Sequence, residues 1–293
     1  MKKLYEYQNG NTKVTILEDG TKIREYEDVP LIEHPESLDI KISNQCHWGC
    51  QYCHENSTAN GEHADLKVLL DKLKDLPAGV ELAIGGGCPL LHPDLMPFLH
   101  ELRDRGLIAN ITVNQQSVKK YYSLLVGLIE NDLVKGVGIS IVNNDYDDIK
   151  KLMELTNNIV FHVIAGVNLV NIIKELNQIA EYSKILILGY KTFGRGVKYK
   201  SKEVDDNIQD WYKHLAEHIG NTHLSFDNLA IEQLNIKRFF TKKGWSRFYM
   251  GDDGTFTMYI DAVNQEYAPT SRSDDRKSFN NRSLTEYFSE IIN

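Results

Sequence analysis

The chain has 293 residues, of which 42% are hydrophobic and 25% charged, and its formal net charge is −8. This composition is typical of a globular protein with one large or two small domains; four cysteines are too few for a disulfide scaffold, and the negative charge argues against nucleic-acid binding. We expect no membrane contact and the reducing cytoplasm as the compartment, because no apolar run reaches the length of a membrane span and no apolar signal peptide is present.

The N-terminal residues predict a small β-meander. Its three strands are predicted at residues 5–8, 13–17 and 22–26. Asn9-Gly10 and Asp19-Gly20 supply the turns, since both dipeptides favour tight hairpins. We expect residues 1–35 to form an appendage that precedes a main domain at 36–230.

From residue 36 the pattern alternates between strand and helix. Strands are predicted at residues 38–43, 81–84, 108–113, 136–142, 159–165 and 184–188. Helices are predicted between them at 65–76, 93–105, 117–131, 146–155 and 170–182. This order predicts parallel βαβ units with right-handed crossovers, in an open sheet or a barrel that does not fully close. Ligands bind such folds at the carboxyl ends of the strands.

The order is less regular beyond residue 200. The elements predicted there are a helix at 204–219, a seventh strand at 223–226, a hairpin at 248–268 and a closing helix at 283–292. The turn of the hairpin is predicted at Asp253-Gly254. We expect residues 231–293 to pack on the main domain as a C-terminal α/β appendage.

Three of the four cysteines follow the first predicted strand of the main domain. Cys46, Cys50 and Cys53 stand in a CxxxCxxC spacing. Three thiolates can bind three corners of a [4Fe-4S] cube and leave the fourth iron open to another ligand. The alternative is a structural Cys3His zinc site completed by His47 or His54, although zinc knuckles usually occur in pairs and the sequence has no second knuckle.

The glycine-rich segment at residues 85–93, Gly-Gly-Gly-Cys-Pro-Leu-Leu-His-Pro, follows the next strand. With the cysteine loop and the repeated βα units, it makes the chain resemble a radical S-adenosylmethionine (SAM) enzyme over about residues 38–230. Tyr52 stands directly before the last cysteine, as in the family pattern, and residues 85–93 are similar to the family's Gly-Gly-Glu-Pro segment. The resemblance implies a partial (βα)6 barrel.

The resemblance also implies a chemistry. A [4Fe-4S] cluster on Cys46, Cys50 and Cys53 would chelate SAM and cleave it reductively, and the resulting 5'-deoxyadenosyl radical would remove hydrogen from a substrate. A flavodoxin or ferredoxin type of electron donor would supply the electron. A catalytically silent Fe-S or SAM-binding module is the competing interpretation.

The residues expected to bind SAM follow from the same resemblance. Gly85, Gly86 and Gly87 would let the backbone approach the methionyl ammonium, where a Cβ would clash. The remaining expected contacts are Tyr52 near the adenine, Ser140 and Asn143 near the ribose, Ile164 on the adenine, and Lys191 and Arg195 on an anionic group of SAM or substrate. Ser140 and Asn143 also fit a helix-capping loop, and Ile164 also fits a buried strand. Lys191 and Arg195 also fit a solvated loop.

Cys88 departs from the family pattern, because it stands where the family usually has Glu. We hypothesise that Cys88 binds SAM as a thiolate, or ligates the open iron when SAM is absent. The alternative is a buried cysteine that acts as a small apolar side chain. With all four cysteines assigned, no auxiliary cluster is expected, and we expect a peptidyl or small anionic substrate.

Overall fold

Two β-sheets organise the chain. The structure is a computed structural model that describes residues 2–180, 183–220, 223–280 and 282–292. The smaller sheet is antiparallel, in the order β1–β2–β3, with strands β1 (Lys3–Asn9), β2 (Thr12–Leu17) and β3 (Lys22–Glu25). It confirms the N-terminal meander.

The larger sheet has ten strands within the described residues. Its six central strands are β4 (Ser37–Ser43), β5 (Glu81–Gly86), β6 (Ile108–Asn114), β7 (Gly136–Ser140), β8 (Ile159–Ile164) and β9 (Lys184–Leu188). They run parallel in sequence order. The flanking strands are β10 (His223–Phe226) beside β9, and β11 (Thr257–Asp261), β12 (Glu266–Ala268) and β13 (Lys277–Ser278) beside β4. The α/β class and the partial (βα)6 barrel are confirmed.

Helices connect the strands. They are α1 (Leu66–Lys72), α2 (Leu95–Asp104), α3 (Gln115–Lys120), α4 (Tyr122–Glu130), α5 (Asp147–Met153), α6 (Ile172–Asn177), α7 (Gly196–Tyr199), α8 (Lys202–His214), α9 (Asn228–Gln233), α10 (Lys242–Phe248) and α11 (Leu284–Ile292). Three short 3-10 helices lie at Pro89–Leu91, Leu215–Glu217 and Ile236–Phe239. The Asp65 carboxylate caps α1 by accepting from two backbone N–H groups, which explains why that helix begins there.

Several predicted helices differ from the structure; the one predicted at 65–76, for example, is shorter. The single helix predicted at 117–131 is two helices, because the backbone at Tyr121 leaves the helical region with φ −118°. The helix predicted at 170–182 is shorter, and its last two residues, 181 and 182, lie outside the described residues. No helix in the described ranges is long and apolar enough to cross a membrane.

The prediction that the hairpin turns at Asp253-Gly254 is wrong. That turn precedes β11, and the hairpin formed by β11 and β12 turns through residues 262–265. The Asp261 carboxylate accepts from the backbone N–H of Asn264 at 3.0 Å, and Gln265 has φ +57°, so these residues close the turn. Because β11 is buried and pairs in parallel with β4, the C-terminal segment extends the main sheet. The division into segments at residues 35 and 230 stays a prediction.

The core lies between the outer face of the sheet and the helices. Apolar side chains of the strands such as Leu38, Leu82 and Ile84 lie in this core with residues of the helices. Burial of each such side chain stabilises the fold by about 1.5–3 kcal/mol. Since side chains alternate along a strand, the positions between these apolar residues face the barrel interior.

Candidate cofactor site and barrel interior

The cysteine loop leaves β4 at the carboxyl end of the sheet. The backbone N–H of Cys46 donates to the Thr58 carbonyl at 2.7 Å, and that of Cys53 donates to the Cys50 carbonyl at 3.2 Å. Gly49 has φ +63°, a left-handed conformation that favours glycine. The three cysteines are free and partly buried. The backbone hydrogen bonds hold the loop that carries them.

Arg195 holds this loop from the segment that follows β9. Its Nε donates to the Cys50 carbonyl at 2.9 Å and its Nη1 to the Ser57 carbonyl at 2.8 Å, while its backbone N–H donates to the Cys53 carbonyl at 3.0 Å. The preceding Gly194 has φ +56°, and a Cβ there would lie 2.2 Å from the His54 carbonyl oxygen. The guanidinium is therefore engaged by loop carbonyls, and it does not line the cavity described next.

A cavity of about 230 Å³ opens beside the cysteines. The predicted site residues that line it are Cys46, Cys50, Tyr52, Cys53, Gly86, Gly87, Ser140, Ile164 and Lys191. Gly86 has φ +107°, and a Cβ at Gly87 would lie 2.4 Å from the Gln45 carbonyl oxygen. Only glycine permits this close approach of the glycine turn to the cysteine loop.

Gly85 and Asn143 lie outside this cavity. Gly85 faces the larger barrel interior. Asn143 belongs to a surface groove, where its backbone N–H donates to Gln115 Oε1 at 3.1 Å and its side chain accepts from the Asp145 N–H at 3.0 Å. Asn143 therefore forms a turn within the loop, and it does not cap α5, which has no side-chain cap.

Cys88 is also apart from the cavity lining. Its side chain is 3% exposed and packs in the hydrophobic core, with Sγ 3.6 Å from Ser117 Oγ. That hydroxyl accepts a hydrogen bond from Trp48 Nε1 at 2.7 Å. Burial is the main cause that raises the pKa of the Cys88 thiol, which opposes a thiolate there. The geometry favours the interpretation of Cys88 as a small apolar side chain.

The donor set at the cavity fits a cationic iron-sulfur group. Burial raises the pKa of the Cys46 and Cys50 thiols, so a group that binds them as thiolates must bring positive charge. Asn114 Nδ2, at the end of β6, points a donor at Cys50 Sγ from 3.5 Å. Sequence reasoning missed Asn114; its only signal was an amide residue at the end of a barrel strand.

A single metal ion, such as zinc, requires several ligand side chains that converge on one point. Among the residues that the structure describes, no three His, Cys, Asp or Glu side chains are grouped so that they could hold one metal ion. In a [4Fe-4S] cube each thiolate binds a different iron, so the three sulfur atoms need not converge on one point.

An ion-pair network forms the wall between the cysteine loop and the barrel. Lys41 Nζ lies 3.1 Å from Glu55 Oε2 and 3.0 Å from Asp261 Oδ2. Burial raises the pKa of Glu55, but His54 and Lys41 outweigh it and lower the value to about 2. Lys191 Nζ lies 3.3 Å from His54 Nε2. The carboxylate of Glu55 is therefore ionised and paired.

Lys191 is engaged on its other side too. Its Nζ donates to Ser271 Oγ at 2.9 Å, so the C-terminal segment closes over this wall. Lys191 lines both the cavity beside the cysteines and the barrel interior.

A second cavity of about 680 Å³ occupies the barrel interior. Residues of the meander, including Ile16 and Asp19, line its end near the amino termini of the strands. Thr112 and His162 line both cavities, so the two spaces adjoin. Burial lowers the pKa of His162 to about 4, which keeps its ring neutral near pH 7. Sequence reasoning did not single out either residue, because alternating strand positions predict a face and do not reveal a cavity.

Comparisons with known proteins agree with this fold. The model of the radical SAM superfamily matches residues 40–217. No curated protein matches the sequence. The fold is similar to that of Streptococcus suis SuiB bound to the precursor peptide SuiA, with a TM-score of 0.60 and 17% identity over 88% of this chain and 65% of that chain.

SuiB bound to S-adenosylmethionine matches with a TM-score of 0.60 and 15% identity, over 89% of this chain and 68% of that chain. At these identities the likeness shows the fold alone. This chain spans about 65% of the length of the peptide-bound SuiB chain.

Proposed function

Because this chain belongs to the radical SAM superfamily, we propose that Cys46, Cys50 and Cys53 hold a [4Fe-4S] cluster and that the adjoining cavity binds SAM. When bound, the cluster and SAM together supply a 5'-deoxyadenosyl radical that removes hydrogen from a substrate. The observation that carries the proposal is the meeting of three free cysteines and the glycine turn at one cavity.

The residues around the cavity have separate tasks in this proposal. Arg195 fixes the cysteine loop through the carbonyls of Cys50 and Ser57. Gly86 and Gly87 bring backbone groups to the cavity without a Cβ, where carbonyl oxygens can accept from the methionyl ammonium. This backbone contact replaces the carboxylate that the family usually places at position 88.

Other residues bound the space for the nucleoside. Tyr52 packs edge to face on Tyr199, with ring centroids 5.6 Å apart, which fixes its ring at the cavity. Ser140 offers a hydroxyl at the end of β7, and Ile164 offers an apolar surface at the end of β8. We therefore propose that Ser140 contacts the ribose of SAM and that Ile164 contacts the adenine.

The substrate that we propose is peptidyl. The support is the structural likeness to SuiB, which was solved with its precursor peptide SuiA. A small anionic substrate is less well supported, because Arg195 is engaged by loop carbonyls and Lys191 by Ser271 and His54. A flavodoxin or ferredoxin type of donor and a reducing cytoplasmic compartment complete the proposal, in keeping with four free cysteines.

Anaerobic reconstitution with iron and sulfide tests this function. We expect cluster absorbance, and 5'-deoxyadenosine after addition of SAM and dithionite. A silent Fe-S or SAM-binding module would show the cluster without deoxyadenosine, and a zinc protein would show neither. Either result would contradict the proposal.

A further inference from the structure

The barrel interior is hollow because several inward-facing positions carry small side chains. In the strand register, Asp39 of β4 is paired with Ala83 of β5 on one side and with Tyr259 of β11 on the other. Ala83 is paired in turn with Asn110 of β6, and Asn110 with Gly136 of β7. All five residues line the interior cavity, and Ala83 and Gly136 leave space in front of Asp39.

Four lysines line this cavity, and each has a partner among the described residues. Lys41 and Lys191 have the contacts described above. Lys135 pairs with Asp132, and Lys184 Nζ donates to Asn158 Oδ1 at 2.9 Å. Lys41 and Lys135 are thus paired with carboxylates, Lys184 and Lys191 hydrogen-bond to neutral groups, and none of the four forms an ion pair with Asp39.

The carboxylate of Asp39 has no hydrogen bond or ion pair with any described residue. Asp39 is exposed, and the space that its side chain faces is the barrel interior. Burial raises its pKa; Lys191 acts in the opposite direction, and the carboxylates of Asp253 and Asp227 add to the rise. A cationic ligand would favour the ionised form of such a carboxylate.

Neutral hydrogen-bonding groups lie around the same space. Asn110, Thr112 and His162 line it, and none of these side chains bonds to another described residue. The His162 ring lies against Gly138, where a Cβ would be 2.5 Å from Cε1. These groups can accept or donate hydrogen bonds, but they do not supply the positive charge that Asp39 lacks.

We propose that Asp39 binds a cationic group of the substrate, an amine or guanidinium, inside the barrel, and that Asn110 and Thr112 hold the same group by hydrogen bonds. The inference rests on the proposed function, because Thr112 lines both cavities and a group held by both Asp39 and Thr112 would adjoin the cofactor site. A lysine or arginine side chain of a peptide carries such a cation, and both cations form charge-assisted hydrogen bonds with carboxylates.

Two probes that differ at the end of one side chain test this inference on the reconstituted full chain. They are Nα-acetyl-lysine methylamide and Nα-acetyl-norleucine methylamide, with binding followed by anaerobic calorimetry. We expect wild type to bind the lysine probe at least about tenfold more tightly, as one charge-assisted hydrogen bond implies. Asp39→Asn should remove this preference and Asp39→Glu should keep part of it. Asp206→Asn, at an exposed acid of α8, is the matched control and should keep all of it.

Equal affinity of wild type for the two probes would overturn the inference, and so would a preference that survives in Asp39→Asn. Wild-type formation of 5'-deoxyadenosine is measured on the same preparation without either probe. Its absence would contradict the proposed function, whereas a missing charge preference would contradict only the assignment of Asp39. The two failures are therefore distinguishable.

Discussion

The four cysteines occupy two different environments. Cys46, Cys50 and Cys53 line a cavity, whereas Cys88 is buried in the core beside Ser117. The spacing of the first three is a local pattern that the sequence displays directly. The direction of the Cys88 side chain depends on packing between the glycine turn and α3, which no local pattern reveals.

Substitution of single cysteines separates these environments. Cys50→Ser removes a proposed ligand, so it should lower the affinity for the cluster by more than the roughly 10- to 100-fold typical of outer-shell changes, and the iron and sulfide bound after reconstitution should fall. Cys88→Ser should retain the wild-type content, because its sulfur does not line the cavity. The measurement is iron and sulfide per chain, with absorbance. Equal losses in both variants would show that Cys88 is a ligand after all.

At the scale of elements, the six central strands agree with the prediction from alternating patterns, but β11 does not. Buried parallel strands are continuous apolar runs, so they can be recognised locally. The partner of β11 is β4, and the Lys41–Asp261 contact between them joins residues 220 positions apart. Residues 253–254 and residues 262–265 both have the composition of a hairpin turn. Only the long-range pairing of β11 with β4 decides that the hairpin turns at 262–265.

The segment after β9 acts as a clamp on the cysteine loop. Arg195→Ala removes two charge-assisted hydrogen bonds, to the carbonyls of Cys50 and Ser57, and each such bond contributes about 1.5–3 kcal/mol. We expect a roughly 10- to 100-fold faster loss of the reconstituted cluster to a chelator. Arg195→Lys should be intermediate, since an ammonium cannot reproduce the planar fork.

Chelation rates followed by absorbance give the comparison for these variants. Lys198→Ala, at an exposed residue of α7, is the control. Wild-type retention in Arg195→Ala would mean that the loop holds its shape without the clamp.

The whole molecule is built around a hollow interior that the ionisable side chain of Asp39 lines, and this has a consequence for stability. Asp39 has a raised pKa in the folded chain, so its ionisation opposes folding. Stability is therefore lost as pH rises from the unfolded-state value of 3.8 through the raised folded-state value. Asp39→Asn lacks this penalty, and it should be more stable than wild type near pH 7 but not below about pH 4.

Urea denaturation of the cluster-free chain at several pH values measures this difference, with Asp206→Asn as the control. A less stable Asp39→Asn near pH 7 would mean that the carboxylate is already stabilised within the fold. A stabilising substitution at a binding residue is the pattern expected where function has a stability cost.

The sequence alone determined the α/β class, the cysteine spacing, the glycine turn and their order along the chain. These are short-range properties, since period, spacing and turn chemistry involve residues close together in the chain. Only the tertiary structure decided which polar groups have partners: Arg195 is engaged by the cysteine loop, Cys88 is buried, and Asp39 is left unpaired. Partners come from strands far apart in sequence, so pairing within the barrel follows from how the sheet closes.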